Sequence, residues 1–202
     1  MTNTKQCPYC GEQILEDAIK CKHCKEMLVK ENSTILENII INYINTTYNK
    51  SNCILTGKEI TKDVLTKAKI DCREGEKPLI LLYKKSLFFD LKTRILITNK
   101  RIYFKALPDT IWTGLTANFA KKIEGCCEIL GLEYLEIAEH DHCLGTAYIG
   151  HQLKINNTVV GLVRMGVGIE YEDFIITYLN NLFNKFAEAN IIKHKVRKYR
   201  WQ

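Results

Sequence analysis

Two pairs of cysteines near the start of the chain have the residue type and the spacing of a metal site. Cys7 and Cys10 are separated by two residues, as are Cys21 and Cys24, and ten residues lie between the pairs. A Cys-x2-Cys turn lets both sulfurs of a pair face one ion, so two such pairs supply four thiolates to one tetrahedral Zn²⁺. The alternatives are disulfides or four unrelated thiols, and the matched pairs favour the metal.

Four cysteine ligands predict one structural ion and not a catalytic one. They complete a tetrahedral shell and leave no position for water or substrate. His23, between the cysteines of the second pair, is therefore expected to be exposed. A segment of about 25 residues cannot bury enough apolar surface to fold alone, and metal binding worth about 10–16 kcal/mol supplies the deficit.

A second group with possible chemistry is His140-Asp141-His142-Cys143. On a strand, the two histidines would share one face. They would form half of a second metal site, or a Cys/His nucleophile site with Cys126 or Cys127. The alternative is a polar loop that contains histidines, and the absence of a further partner at ligand spacing favours the loop. Four other cysteines are predicted to be small core residues: Cys53, Cys72, Cys126 and Cys127.

Most of the net charge lies at the carboxyl end. The chain carries +6 overall, yet residues 1–31 contain five lysines and five acids. Residues 190–202 contain five cations and no acid. Cations mixed with aromatic side chains suit nucleic-acid phosphates and stacked bases, or an anionic membrane surface; the alternative is a solvated chain end. The candidate partner- or phosphate-binding residues are Lys193, Lys195, Arg197, Lys198, Tyr199, Arg200 and Trp201.

Composition predicts a cytoplasmic globular protein. The sequence is 46% hydrophobic and 26% charged, which are globular values. Residues 1–6 are polar and lack the apolar core of a signal peptide, and no apolar run approaches the roughly 20 residues of a membrane span. Without a signal peptide, nine cysteines indicate a reducing compartment.

Periodicity predicts an α+β fold. Helices are expected over 34–48, 61–70 and 172–187, the first opened by a Thr34-x-x-Glu37 capping box. Its broad apolar stripe should pack on the main domain or on a second copy of the chain. The predicted strands cover 79–83, 87–89, 93–98, 101–105, 111–119, 152–155 and 158–164.

Two predicted hairpins have asparagine in the turn. Asn99-Lys100 and Asn156-Asn157 each connect two strands. Asparagine tolerates the left-handed backbone that a tight hairpin requires. No element is assigned over 119–135, where Gly125 and Gly131 oppose a helix.

The segment Arg94-Ile95-Leu96-Ile97-Thr98-Asn99-Lys100-Arg101-Ile102-Tyr103-Phe104-Lys105 resembles the strand–turn–strand of bacterial pleckstrin-homology-like (PH-like) domains. The later Asn156-Asn157 hairpin and the terminal helix follow the same order. The whole chain resembles a bacterial protein with an amino-terminal zinc ribbon before a PH-like domain, a bent antiparallel sheet closed by a carboxyl-terminal helix. The implied division is a zinc ribbon (1–31), a helical connector (32–75), a PH-like domain (76–189) and a basic aromatic tail (190–202).

This resemblance implies a binding or assembly scaffold. The closed metal site, with no phosphate loop and no convincing acid–base pair in the sequence, predicts that the scaffold is non-enzymatic and that it binds a protein partner or self-associates into an oligomer. It does not imply lipid recognition, because the first hairpin lacks the basic cluster of a phosphoinositide site. Nucleic-acid binding through the tail with the ribbon is the first alternative function. An enzyme that uses His140, His142 and Cys143 is the second.

Overall fold

In this computed structural model, residues 4–16, 18, 20–26, 28, 30–47, 53–83, 93–106, 123–140, 150–156, 158–163 and 169–192 are described. They form a mixed α+β structure with antiparallel sheets, as predicted. Three α-helices lie in the described ranges: α1 (Lys30–Thr46), α2 (Lys62–Ala68) and α3 (Ile169–Glu188). None of these described helices has the length and apolar character needed to cross a membrane.

The amino-terminal segment is built around a small hairpin. Strands β1 (Thr4–Gln6) and β2 (Gln13–Leu15) pair antiparallel, with Lys5 opposite Ile14. The first cysteine pair lies between these strands, and the second pair follows β2. The connection between the two strands therefore carries the first pair, and the chain that leaves β2 carries the second.

A five-stranded antiparallel sheet follows the order of the chain. In spatial order its strands are β3 (Ile54–Thr56), β4 (Pro78–Leu82), β5 (Arg94–Thr98), β6 (Arg101–Ala106) and β7 (Ile123–Glu128). The register shifts in β4 between Pro78 and Ile80. One short 3₁₀ helix (Gly57–Glu59) links β3 to α2.

A second antiparallel sheet has three strands. Its members are β8 (Leu135–His140), β9 (Gly150–Ile155) and β10 (Thr158–Val163), with β9 in the centre. Helix α3 contacts β8, and β10 contacts β6 of the larger sheet. The main core therefore lies among both sheets and α3.

Helix α1 packs within its own chain. Leu36 and Ile40 are fully buried in the main core. The Tyr43 hydroxyl donates to the backbone carbonyl of Tyr178 on α3 at 2.6 Å, and the two rings meet edge to face at 4.9 Å. The predicted apolar stripe is thus covered by α3 and β4 at Leu36, Ile40 and Tyr43, whereas Ile35 is 47% exposed.

The start of α1 differs from the sequence-based prediction. The helix begins at Lys30 and ends at Thr46, so Thr34 is an exposed residue inside it and the predicted capping box at Thr34 is wrong. The motif Thr-x-x-Glu fixes only which side chains can reach each other, and it occurs inside helices as well as at their starts. The predictions for α2 and α3 are confirmed, with α3 beginning three residues earlier than expected, at Ile169.

Residues 32–75 contain more than the two predicted helices. Strand β3 lies in this segment and pairs with β4 through Leu55 and Leu81. Helix α2 is capped by Thr61, whose hydroxyl accepts the Val64 N–H at 3.3 Å. Its buried residues Leu65 and Ala68 cover the opposite face of the larger sheet from the main core. The segment is therefore part of the sheet structure.

The β5–β6 hairpin is confirmed, but the conformational reason predicted for it is wrong. Asn99 is not among the described residues with a positive φ. The turn is held instead by Thr98, whose hydroxyl accepts the N–H groups of Lys100 and Arg101 at 3.1 and 2.9 Å. In the β9–β10 hairpin the predicted reason holds, because Asn156 has φ +48°.

A buried carboxylate reinforces the β5–β6 turn. The side chain of Glu76 is only 1% exposed and pairs with Arg101. It also accepts the hydroxyls of Thr98 and Tyr103, each at 2.9 Å. Each of its oxygens therefore has a partner, which is what a buried charge requires.

A buried asparagine side chain joins α3 to β8. The Asn180 amide accepts the N–H of Ile137 and donates to the carbonyl of the same residue, both at 3.0 Å. Among the described strands, β8 lies at one edge of its sheet. The side chain of Asn180, 2% exposed, therefore pairs with the sheet edge as a neighbouring strand would.

We expect Asn180→Ala to lower the free energy of unfolding by about 2–4 kcal/mol, because two buried backbone groups of Ile137 lose their partner. Asn181→Ala is the matched control, since Asn181 is the exposed neighbour on the same helix, and should change stability by less than about 0.5 kcal/mol. Urea unfolding followed by circular dichroism measures both. Equal midpoints for the two variants would contradict the pairing.

Candidate metal centre

Four cysteine sulfurs meet at one place in the amino-terminal segment. The sulfurs of Cys7, Cys10, Cys21 and Cys24 all lie within 4.8 Å of one another. Cys7 Sγ is 3.8 Å from Cys24 Sγ, and Cys10 Sγ is 3.7 Å from Cys21 Sγ. The predicted cluster is confirmed, and it is the only group of three or more metal-ligating side chains found among the described residues.

The spacing of the sulfurs fits a tetrahedral metal–thiolate site. With a zinc–sulfur bond of about 2.3 Å, the edge of an ideal tetrahedron of sulfurs is about 3.8 Å. The two contacts of 3.8 and 3.7 Å match this edge. Both contacts join a cysteine of the first pair to a cysteine of the second. The site therefore holds the two pairs next to each other.

The site is built from two copies of one turn. Cys7-Pro8-Tyr9-Cys10-Gly11-Glu12 and Cys21-Lys22-His23-Cys24-Lys25-Glu26 are offset by fourteen residues. In each copy the first cysteine donates its N–H to the glutamate carbonyl at 2.9 Å. The carbonyl of that cysteine accepts the N–H that follows the second cysteine, at 2.8 Å in one copy and 3.1 Å in the other. We call these the first and second knuckle.

The repeat extends beyond the hydrogen bonds. Ile14 follows the first knuckle and Leu28 the second, again fourteen residues apart, and both belong to one small apolar cluster. The sequence-based interpretation used the two cysteine pairs but missed the repeat. The signal was present as Cys-x-x-Cys-x-Glu followed by an aliphatic residue in both copies.

The backbone conformation after each knuckle is left-handed. Gly11 has φ +77° and Lys25, at the equivalent position, has φ +64°. Glycine adopts this conformation without penalty, whereas a residue with a side chain adopts it at a cost. The second knuckle is therefore the more strained of the two.

Apolar contacts alone give this segment a very small core. Its buried apolar residues are Cys7, Ile14 and Cys21, packed with Ala18, Cys24 and Leu28. Half of these six side chains are themselves cysteines of the cluster. Removal of a bound ion would therefore remove the main link between the two knuckles.

Backbone N–H groups favour a thiolate at Cys21. The N–H of Cys24 has the largest influence, and the N–H of His23 donates to the same sulfur at 3.4 Å. Together they lower the pKa of the Cys21 thiol to about 6, although burial opposes them. The first negative charge of the cluster is thus stabilised by the protein itself.

Further ionisation of the cluster is opposed. The N–H of Glu26 favours the thiolate of Cys24, but burial and the neighbouring thiols outweigh it and raise the pKa of Cys24 to about 12. At Cys10, the N–H of Glu12 favours the thiolate, whereas burial opposes it. The net effect is that the pKa of Cys10 is also raised. A metal ion must displace the protons of these thiols, so metal affinity falls as the pH is lowered.

The four cysteines differ in their exposure to solvent. Cys7 and Cys21 are buried, Cys24 is half-buried and Cys10 is exposed. The side chain of His23 is exposed, as predicted, and the residue contributes its backbone N–H to the site. The first cysteine of each knuckle is therefore inside the segment and the second nearer its surface.

The other candidate sites lie largely outside the described residues. This applies to Asp141, His142 and Cys143, to the side chain of His140, and to the whole tail from Lys193 to Gln202. The predicted strands over 87–89 and 111–119 are outside as well.

The cysteines outside the cluster vary in burial. The prediction that they are core residues is confirmed for Cys53, whereas Cys72 and Cys127 are half-buried. It is wrong for Cys126, which lies exposed on β7, at one edge of the larger sheet as far as the strands are described.

We expect reciprocal substitutions at the two left-handed positions to act in opposite directions. Lys25→Gly should tighten metal binding and Gly11→Lys should weaken it, each by about 1 kcal/mol or about fivefold in apparent dissociation constant. A side chain at Gly11 would meet no atom within 4 Å of its Cβ, so the effect isolates the backbone. Competition with a chromophoric chelator measures both affinities.

Lys25→Ala is the control for the second knuckle. It removes the hydrogen bond from Lys25 Nζ to the Lys22 carbonyl, 3.0 Å, without relieving the left-handed backbone. Its affinity should stay near that of the wild type. If Lys25→Gly binds no more tightly than Lys25→Ala, the backbone conformation does not limit binding.

No protein-family model, curated protein or solved structure matches this chain. The functional interpretation therefore depends on the geometry of the cysteine cluster and of the surrounding fold.

Proposed function

We propose that this chain is a non-enzymatic interaction or assembly scaffold in which Cys7, Cys10, Cys21 and Cys24 hold one structural Zn²⁺. The observation that carries the proposal is the pair of cross-knuckle sulfur contacts at 3.8 and 3.7 Å. Four thiolates complete the shell of the ion, so its role is to hold the two knuckles together.

The donor set favours zinc. Thiolate ligands select zinc, monovalent copper and iron, and a tetrahedral arrangement of four sulfurs is typical of zinc or iron sites. Zinc has no redox chemistry of its own and imposes no other geometry, which suits a structural site. Elemental analysis separates zinc from iron directly.

The fold supports a PH-like interpretation of the remaining chain. The observations that support it are five antiparallel strands in chain order, three more strands in a second sheet and a helix after the last described strand. Such a domain supplies a rigid framework for a second contact surface. No lipid ligand is proposed.

The exposed hydrophobic side chains favour the metal-binding segment as the surface that binds a protein partner. Of the four large hydrophobic side chains that are most exposed in the described ranges, two belong to it: Tyr9 and Leu15, each 53% exposed. Tyr9 lies within the first knuckle and Leu15 at the end of β2. Helix α1 is a weaker candidate, because it contributes only Ile35 to these four, and Leu36, Ile40 and Tyr43 are already covered within the chain.

We expect one zinc ion per chain in protein purified without chelators. Removal with a strong chelator should abolish the ordered structure of residues 7–24, because the apolar cluster there is too small to replace the metal. Nuclear magnetic resonance of ¹⁵N-labelled protein measures this, with Ile95, Ile97 and Ile102 of the larger sheet as internal controls that keep their shifts. Unchanged signals of the knuckles after chelation would contradict the structural role.

The scaffold role predicts that zinc-loaded protein captures a partner from its native lysate or self-associates. Tyr9→Ala combined with Leu15→Ser should abolish that association while leaving zinc content at one ion per chain. Affinity capture with mass spectrometry and size-exclusion with light scattering measure the two outcomes. Ile123→Ser, at an exposed residue of β7, is the matched control. A strict monomer with the same capture profile in all variants would contradict the proposal.

A further inference from the structure

We propose that the metal centre is a site of peroxide oxidation in which Cys10 reacts first and Cys21 resolves it, with release of the ion. The inference rests on the proposed zinc site and adds to it a covalent state of the same cysteines. It follows from two features of the cluster, which are the unequal exposure of its cysteines and the contact between Cys10 and Cys21 across the knuckles.

Exposure of the residue selects Cys10 as the first cysteine to meet an oxidant. Cys7 and Cys21 are 2% and 0% exposed, whereas Cys10 is exposed. Thiolate character and access to solvent together decide which cysteine is oxidised. A zinc-bound sulfur is a thiolate, so all four ligands share thiolate character. Their rates of oxidation then differ because the four cysteines differ in exposure to solvent.

Geometry selects Cys21 as the resolving residue. Its sulfur lies 3.7 Å from that of Cys10, on the opposite knuckle. A disulfide bond is about 2.0 Å long, so the two sulfurs need to approach by less than about 2 Å. The fold of the segment places them at that separation, so no unfolding is needed to bring them together.

The chemistry is balanced by one molecule of hydrogen peroxide. The Cys10 thiolate attacks one peroxide oxygen, the O–O bond breaks, and with one proton the products are Cys10 sulfenic acid and water. The Cys21 thiolate then attacks the sulfenic sulfur, the S–O bond breaks, and with a second proton a second water leaves. Two thiolates lose two electrons in total and the peroxide gains them.

Loss of two ligands releases the ion. The remaining thiolates, Cys7 and Cys24, have their sulfurs 3.8 Å apart and also face each other across the knuckles. A second peroxide converts them to a disulfide by the same steps. The two bonds are nested, Cys10–Cys21 inside Cys7–Cys24, and they link the same two knuckles that the ion linked.

The test begins with the full chain carrying one measured equivalent of zinc. Hydrogen peroxide is added, zinc release is followed with a chromophoric chelator, and disulfides are mapped by mass spectrometry of alkylated peptides. We expect zinc release to coincide with the Cys10–Cys21 disulfide, followed by Cys7–Cys24. Pairing within the knuckles, or oxidation to sulfinic acid without a disulfide, would overturn the proposal.

Histidine replacements identify the sulfur that reacts first, because a Cys₃His shell still holds zinc. Cys10→His removes the exposed sulfur and should slow zinc release by about tenfold or more. Cys7→His makes the same change of ligand at a buried sulfur and should release zinc faster than Cys10→His. Equal rates for the two variants would overturn the assignment of Cys10.

Cys126→Ser controls for oxidation outside the cluster, since Cys126 is exposed on β7. It should release zinc at the rate of the wild type.

The zinc content measured before peroxide is added separates the proposed zinc site from the proposed peroxide chemistry. Protein without zinc at that stage would contradict the proposed function, whereas bound zinc that survives full oxidation of Cys126 would contradict only the peroxide chemistry.

Discussion

Apolar burial is what the first thirty residues lack, and this shortage governs how they can fold. A chain segment becomes ordered when buried surface or bonding outweighs the conformational entropy that it loses, which is about 1–2 kcal/mol per residue for the backbone. The cluster of Ile14, Ala18, Leu28 and three cysteines is too small for this. Metal–sulfur bonds are the strongest interaction that the same residues can make, and the two knuckles place four sulfurs where those bonds form.

The two larger sheets are stabilised in a different way from the metal-binding segment. Their apolar core is large, and the informative residues are the buried polar ones that each have a defined set of partners. Glu76 joins Arg101, Thr98 and Tyr103 at one end of the β5–β6 hairpin. Such groups cost free energy unless every partner is in place, so they favour one arrangement of the strands over near alternatives.

Sequence patterns predicted the features that depend on local spacing. The two cysteine pairs indicated their own cluster, the apolar run at Leu79–Leu82 indicated a buried strand, and Asn156 indicated a left-handed turn. The start of α1 was not predicted, because a capping motif at Thr34 cannot be told apart from the same residues inside a helix. The partners of Glu76 and Asn180 were not predicted either, since they come from 22 to 43 residues away.

The amide of Asn180 has a consequence for how molecules of this protein meet one another at high concentration. An outer strand with open N–H and C=O groups is a template on which an identical chain can add, which is how intermolecular sheets and fibrils begin. At Ile137 that template is occupied by a side chain of the same molecule. The helix thereby blocks the middle of β8 with an uncharged side chain, on a strand that also carries Glu136 and Glu139.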